Sequence, residues 1–231
     1  MKKALLVVVA LGAAALAEDW VQHYKDRVAA FEKENEKLDP GTRYVVLLGD
    51  SLTEGWTANR VKRFLPTVGP RVLNRGIVSD GIGVNERGVL NRLDASVLHC
   101  RPGHVFLLTG VNDIGKKGEG IERAAAAYEK VVKAVRAGSK DAELVLVTLS
   151  PTAKKYAGMN EAIARFNARI AGIAAETSTS ILDLHAKLAD ASGALPESMT
   201  TDGLHWTDSV YEVLGAEIER VVANPRKKGR K

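Results

Sequence analysis

Tyr44-Val45-Val46-Leu47-Leu48-Gly49-Asp50-Ser51-Leu52-Thr53-Glu54-Gly55-Trp56 is the stretch on which the reading of this chain turns. Tyr44 to Leu48 are apolar, uncharged and rich in β-formers, the pattern of a strand buried on both faces in a parallel sheet. Gly49 breaks the run, and Asp50 and Ser51 follow where a helix can begin. A serine there has its hydroxyl at a strand's C-terminal end, beside the free N–H groups of a helix N-terminus. Open α/β sheets bind their ligands at that edge. Alternatively, Ser51 serves only as a helix N-cap. The G-x-S-x-G elbow is absent, because Thr53 stands where its second glycine is required.

Outward from this stretch, strand and helix patterns alternate. Arg71–Arg75, Val105–Thr109, Leu144–Leu149 and Ser180–Leu184 read as further strands. Helical periodicity is expected over Val84–Leu98, from Ile121 to a stop at Gly138, from Met159 to Ile173, and over Val210–Val222. The expected fold is α/β: a three-layer α/β/α sandwich on a mainly parallel five-stranded sheet.

The chain starts with Lys2-Lys3, continues apolar or small from Ala4 to Leu16, and closes on Ala15-Leu16-Ala17 before Glu18-Asp19. That is the build of a signal peptide over residues 1–17, shorter than the roughly 20 residues of a membrane span. Cleavage near Ala17 implies a secreted or periplasmic protein with no stable membrane insertion. Residues 18–40 form an amphipathic helical segment with Trp20, Tyr24, Val28 and Phe31 on one stripe, read as core contact. Residues 41–223 make the main domain.

The formal charge of +5 comes from the two ends, since Lys2 and Lys3 leave with the signal and five basic residues crowd the tail over 224–231. The body is slightly acidic, which argues against a nucleic-acid-binding face. The tail itself reads as a disordered, solubilising end. Cys100 is the single cysteine, so no disulfide forms within the chain, and no His/Cys spacing suggests a metal. No cofactor is expected.

The polar clusters follow strand ends: Gly49-Asp50-Ser51, Asn74-Arg75-Gly76-Ile77-Val78-Ser79-Asp80, and Thr109-Gly110-Val111-Asn112-Asp113. A fourth, Asp202-Gly203-Leu204-His205-Trp206, precedes the last helix. Acyl transfer needs a nucleophile, a base, a carboxylate to orient the base and donors for the oxyanion. Ser51, His205, Asp202 and Asn112 supply those four types. Asp183 and His185 form a rival pair, placed on one face of a strand by their spacing. His23, His99 and His104 have no acidic partner at the spacing of a catalytic pair and read as structural or solvated. Asp50 and Asp113 are expected at most to support the site through hydrogen bonds.

G-D-S-L-T, N-x-G-I-x-x-D, G-x-N-D and D-G-L-H, in that order, resemble the blocks of the SGNH (GDSL) hydrolases over roughly Tyr44 to Val222. The resemblance implies Ser51 as nucleophile, Asp202 and His205 as the rest of a triad, and an oxyanion hole of Ser51, Ser79 and Asn112. The family pattern carries a glycine at the position of Ser79, so a β-carbon stands here where substrate approaches. Trp56 and Trp206 flank the blocks and either line an acyl or sugar pocket or pack into the core. The implied activity is that of an exported serine esterase removing short acyl groups, acetyl above all, from carbohydrate or envelope esters. A lysophospholipase or thioesterase, and a non-catalytic binding protein on the same fold, are the alternatives. The expected partner is a small-molecule or polysaccharide ester.

Overall fold

The computed structural model describes residues 2–83, 87–115 and 117–225. Most of the basic tail expected over 224–231 lies outside the described residues, as do 84–86 of the helix expected over Val84–Leu98. In chain order the elements are α1 (Lys2–Asn35), β1 (Tyr44–Gly49), α2 (Ser51–Glu54), α3 (Ala58–Phe64) and β2 (Val72–Gly76). Then come α4 (Leu93–Ser96), β3 (Pro102–Leu108), α5 (Ile121–Gly138) and β4 (Glu143–Val147). α6 (Asn160–Glu176), β5 (Ser180–Leu182), α7 (Leu184–Leu188) and α8 (Asp208–Ala223) complete the chain.

The five strands pair in parallel in the order β2-β1-β3-β4-β5, with Leu48 level with Arg75 and Leu107. Every residue of β1 is buried, which is why its sequence is an unbroken apolar run instead of an alternating one. From β1 the chain moves outward to β2 and then returns to β3 on the other side. This reversal opens a crevice beyond the C-terminal ends of β1 and β3, the place where such sheets bind ligands. Gly49 permits the strands to close up there: a β-carbon on it would sit 2.1 Å from the Leu108 carbonyl oxygen.

α5 and α6 bury the faces built on Tyr128 and Phe166, whose rings meet edge to face at 5.9 Å. α8 reaches the crevice through Tyr211, whose hydroxyl donates to the Leu52 carbonyl of α2 at 3.0 Å. Trp56 and Trp206 pack edge-on against the Tyr211 ring at 5.1 and 5.4 Å.

α1 is one helix, and the boundary expected at Ala17 falls within it. Its stripe docks through Tyr24, Val28 and Phe31, which share a small core with Ile77 and Ala95. The Phe31 ring lies under the guanidinium groups of Arg75 and Arg27, 4.7 and 4.8 Å from its centroid. Trp20 stays exposed, so the stripe is core contact only in part. Among the described residues no helix is long and apolar enough to cross a membrane.

Two expectations are corrected. The segment expected as a helix over Val84–Leu98 is a series of short turns: a 3-10 turn at Val89–Arg92, α4, and another 3-10 turn at Leu98–Cys100. Its apolar spacing serves burial of single turns around Arg92. The last strand stops at Leu182, because Asp183 accepts the Ala186 N–H at 3.1 Å and caps α7, so Asp183 and His185 do not share a strand face.

Arg92 binds the sheet's C-terminal edge together from beneath. Its guanidinium donates to Asp80 at 2.9 Å, to the Gly49 carbonyl at 2.9 Å, to the Arg75 carbonyl at 3.0 Å and to the Ser96 hydroxyl at 2.8 Å. Both members of the Arg92–Asp80 pair are buried. Arg92→Met leaves the buried Asp80 carboxylate without its cation and should cost about 3–5 kcal/mol of stability, read from urea denaturation. A loss within the range of ordinary surface substitutions would show that the pair is dispensable.

Candidate active site

α2 starts directly at the end of β1. Asp50, not Ser51, is its N-cap: the Asp50 carboxylate accepts the Leu52 N–H at 3.0 Å. Ser51 is the first helical residue, and its own N–H lies in the turn that has no acceptor within the helix. The Ser51 hydroxyl is 3.1 Å from His205 Nε2. His205 Nδ1 is 3.0 Å from Asp202 Oδ2, while Asp202 Oδ1 accepts the backbone N–H groups of Leu204 and His205 at 2.9 and 2.8 Å.

The turn carrying Asp202 and His205 depends on Gly203, which has φ +104° and whose β-carbon would meet the Ala153 carbonyl oxygen at 2.2 Å. Partial burial pushes the Asp202 carboxyl up. The His205 and Leu204 N–H groups and the imidazole outweigh it, and hold the carboxyl at about 2. An ionised Asp202 favours the tautomer with its proton on Nδ1, leaving the Nε2 lone pair toward Ser51. This arrangement can take a proton from the serine hydroxyl.

The turns after β2 and β3 stand on either side of Ser51, because those strands flank β1. The Asn112 side-chain amide donates one proton to the Asp80 carbonyl at 2.8 Å, tying the two turns together and leaving its second proton for a ligand. Ser79 has φ +57°, the left-handed region that glycine enters without penalty. Ser79 keeps its backbone N–H in this conformation. Ser79 and Asn112 line a cavity of about 140 Å³ with Trp20, Tyr24, Val78 and Arg87.

Glu54, at the end of α2, holds the second turn in place. Its carboxylate accepts the Val78 N–H, one residue before Ser79. It also faces His23 of α1 at 3.1 Å and Arg27 at 3.5 Å, and Arg27 reaches the Gly76 carbonyl at 3.1 Å. His23 thus has an acidic partner that its sequence neighbours did not reveal, and His104 faces Glu143 at 3.7 Å in the same way. Asp183 and His185 are engaged with Thr148 and take no part in the Ser51 arrangement.

The pocket expected at Trp56 and Trp206 is not built by them. Both are 3% exposed, wedged on Tyr211, with the Trp206 N–H donating to Ser150 at 3.1 Å. They pack behind the turns that carry Ser51 and His205. Trp56 does reach the floor of a separate groove of about 990 Å³ between α1 and α3, lined by none of Ser51, Ser79, Asn112 or His205. The aromatic side chains at the site are Trp20 and Tyr24, which helical spacing alone cannot separate from the core stripe they belong to. Among the described residues no group of His, Cys, Asp and Glu is placed to hold a metal ion.

A five-stranded parallel sheet carrying these blocks at its C-terminal edge is the α/β/α sandwich of the SGNH hydrolases. The sequence profile of the GDSL-like lipase/acylhydrolase family matches residues 47–213, and the chain belongs to that family, whose members hydrolyse ester bonds. No curated protein sequence matches it. Among solved structures, a Streptococcus pneumonia protein named for platelet activating factor superposes with TM-score 0.80 at 23% identity, over 92% of this chain and 99% of its own. A GDSL-like lipase from Bacteroides thetaiotaomicron gives 0.73 at 21% identity, over 86% and 98%. An acetylxylan esterase from Geobacillus stearothermophilus gives 0.64 at 18%, over 81% and 97%. At these identities the likeness shows the fold.

Asp50, Asp80 and Asp113 act on one another near Ser51; Asp80 pairs with the buried Arg92, and Asp113 accepts the Ile82 N–H. Burial first, then repulsion from Asp80 and Asp113, outweighs the Leu52 N–H and Arg92 and pushes Asp50 up to about 7. Burial likewise pushes Asp113 up to about 6. The folded state therefore keeps a proton on Asp50 that the unfolded chain releases near 3.8. The contribution is complete below that value and is lost as pH rises toward 7. Asp50→Asn should flatten the decline in stability between about pH 4 and pH 7. Thermal midpoints across that window check it, and parallel curves for both proteins would contradict the burial of this acid.

Proposed function

We propose that the protein is an exported serine esterase that removes short acyl groups, acetyl above all, from carbohydrate or envelope esters. The observation that carries this reading is the hydrogen-bonded series Ser51–His205–Asp202 at the C-terminal edge of the sheet. Ser51 Oγ attacks the ester carbonyl as His205 Nε2 takes its proton. The oxyanion is held by the N–H groups of Ser51 and Ser79 and the free proton of the Asn112 amide. Collapse of this intermediate breaks the ester C–O bond, and His205 returns the proton to the departing alcohol. Water, deprotonated by His205, then attacks the acyl-serine; the carboxylic acid leaves and Ser51 regains its proton. Asp202 stays ionised and stabilises the imidazolium in both halves.

Short acyl groups are supported by the site's walls. The small cavity beside Ser79 and Asn112 presents Asp80, Asp113 and Arg87, whereas the large apolar groove lies apart from the catalytic residues. The acetylxylan esterase of the same fold points toward carbohydrate acetates. Export rests on the build of residues 1–17. His23, Tyr24, Arg27 and Phe31, which dock α1, lie beyond Ala17, so cleavage there keeps them.

A p-nitrophenyl ester series tests the acyl reading: kcat/KM should fall at least about tenfold from acetate to octanoate. Equal or faster octanoate turnover would favour the lysophospholipase alternative. Asn112→Ala should lower kcat about 10²–10³-fold with little change in KM, because its amide acts once the oxyanion develops. A loss confined to KM would place Asn112 in ground-state binding instead.

A further inference from the structure

We propose that α1 supplies the subsite for the alcohol part of the substrate, and that this alcohol is a sugar ring stacked on Trp20. The proposal rests on the reading of Ser51 as nucleophile and names what that site receives. Only three large hydrophobic side chains are exposed among the described residues: Trp20 at 38%, Val78 at 37% and Ile181 at 43%. Two of them, Trp20 and Val78, line a cavity that also contains Ser79 and Asn112. Trp20 is thus set apart from Tyr24, Val28 and Phe31, which bury the rest of its stripe.

The chemistry of the walls selects the ligand. Arg87 offers a planar fork of donors, and Asn112 and Ser79 offer donors and acceptors beside it. An acyl chain in this space would cover those polar groups without giving them partners. A pyranose has an apolar C–H face for the indole and a rim of hydroxyls for Arg87 and its neighbours. Aromatic walls with a few convergent polar groups are the usual make-up of small-molecule sites.

The platform is also held in register with the reacting atoms. His23, three residues after Trp20, faces Glu54 at 3.1 Å, and the same carboxylate takes the Val78 N–H beside Ser79. The Tyr24 hydroxyl donates to the Gly88 carbonyl at 3.4 Å. One bracket therefore fixes the indole, the Ser79 turn and the helix carrying Ser51.

The test compares an O-acetylated methyl xyloside with ethyl acetate, which has no ring to stack. In the full chain, Trp20→Ala should lower the ratio of kcat/KM on the xyloside to that on ethyl acetate at least tenfold, mainly through KM, and Trp20→Phe should restore most of it. An unchanged ratio, or an equal loss on both substrates, overturns the proposal; the equal loss would mean that Trp20 merely holds the turn. Binding gives a readout independent of turnover. The Ser51→Ala protein should bind the acetylated xyloside, and adding Trp20→Ala should weaken that binding at least tenfold. No binding, or binding indifferent to Trp20, overturns the subsite. Trp20-dependent binding by a protein whose wild type hydrolyses neither ester would support the subsite and contradict the reading of Ser51.

Discussion

A single guanidinium, that of Arg92, holds the C-terminal edge of this sheet together. It is buried, and it joins the end of β1 through the Gly49 carbonyl, the end of β2 through the Arg75 carbonyl, and the second turn through Asp80. Its cost is desolvation, which lowers the pKa of Arg92 and raises that of Asp80. What it secures is register. Ser51 lies two residues beyond Gly49 and Ser79 one residue before Asp80, so the clamp sets the separation of Ser51 and the Ser79 turn. Asp50 is buried beside Asp80 and Asp113, and a proton on it relieves their mutual repulsion.

The N-terminal helix belongs to the same construction. Phe31 lies against Arg75 and Arg27, and His23 and Arg27 reach Glu54, which fastens α2 to the second turn. A helix that in sequence looks like an approach to the domain thus acts on the geometry of its active edge. Rigidity of this kind suits a reaction whose main requirement is preorganised donors for an oxyanion.

The strands and the four polar blocks were legible because their physics is local. A strand covered on both faces is an apolar run, as in Tyr44–Leu48 and Leu144–Val147, and functional turns follow directly at the strand ends. Asp202 and His205 were legible because one tight turn joins them. What was not legible depends on partners distant in sequence. His23 meets Glu54 across 31 residues, and Trp56 and Trp206 converge on Tyr211 and are buried by it. The apolar spacing of Val89, Leu90 and Leu93 resembles one helix, yet those residues serve successive turns wrapped around Arg92. Trp20 shares a helical stripe with Tyr24 and Phe31, and only the position of the Ser79 turn shows which of them meets the cavity.

The central claim is that Ser51 is a nucleophile activated by His205. It is tested most directly by treating the protein with an alkyl fluorophosphonate and mapping the modified peptide by mass spectrometry, in the wild type and in His205→Ala. The account predicts one phosphonyl group, on Ser51, formed at least 10²-fold more slowly without His205. Modification at any other residue, or labelling of Ser51 at an unchanged rate in the His205 variant, would contradict it.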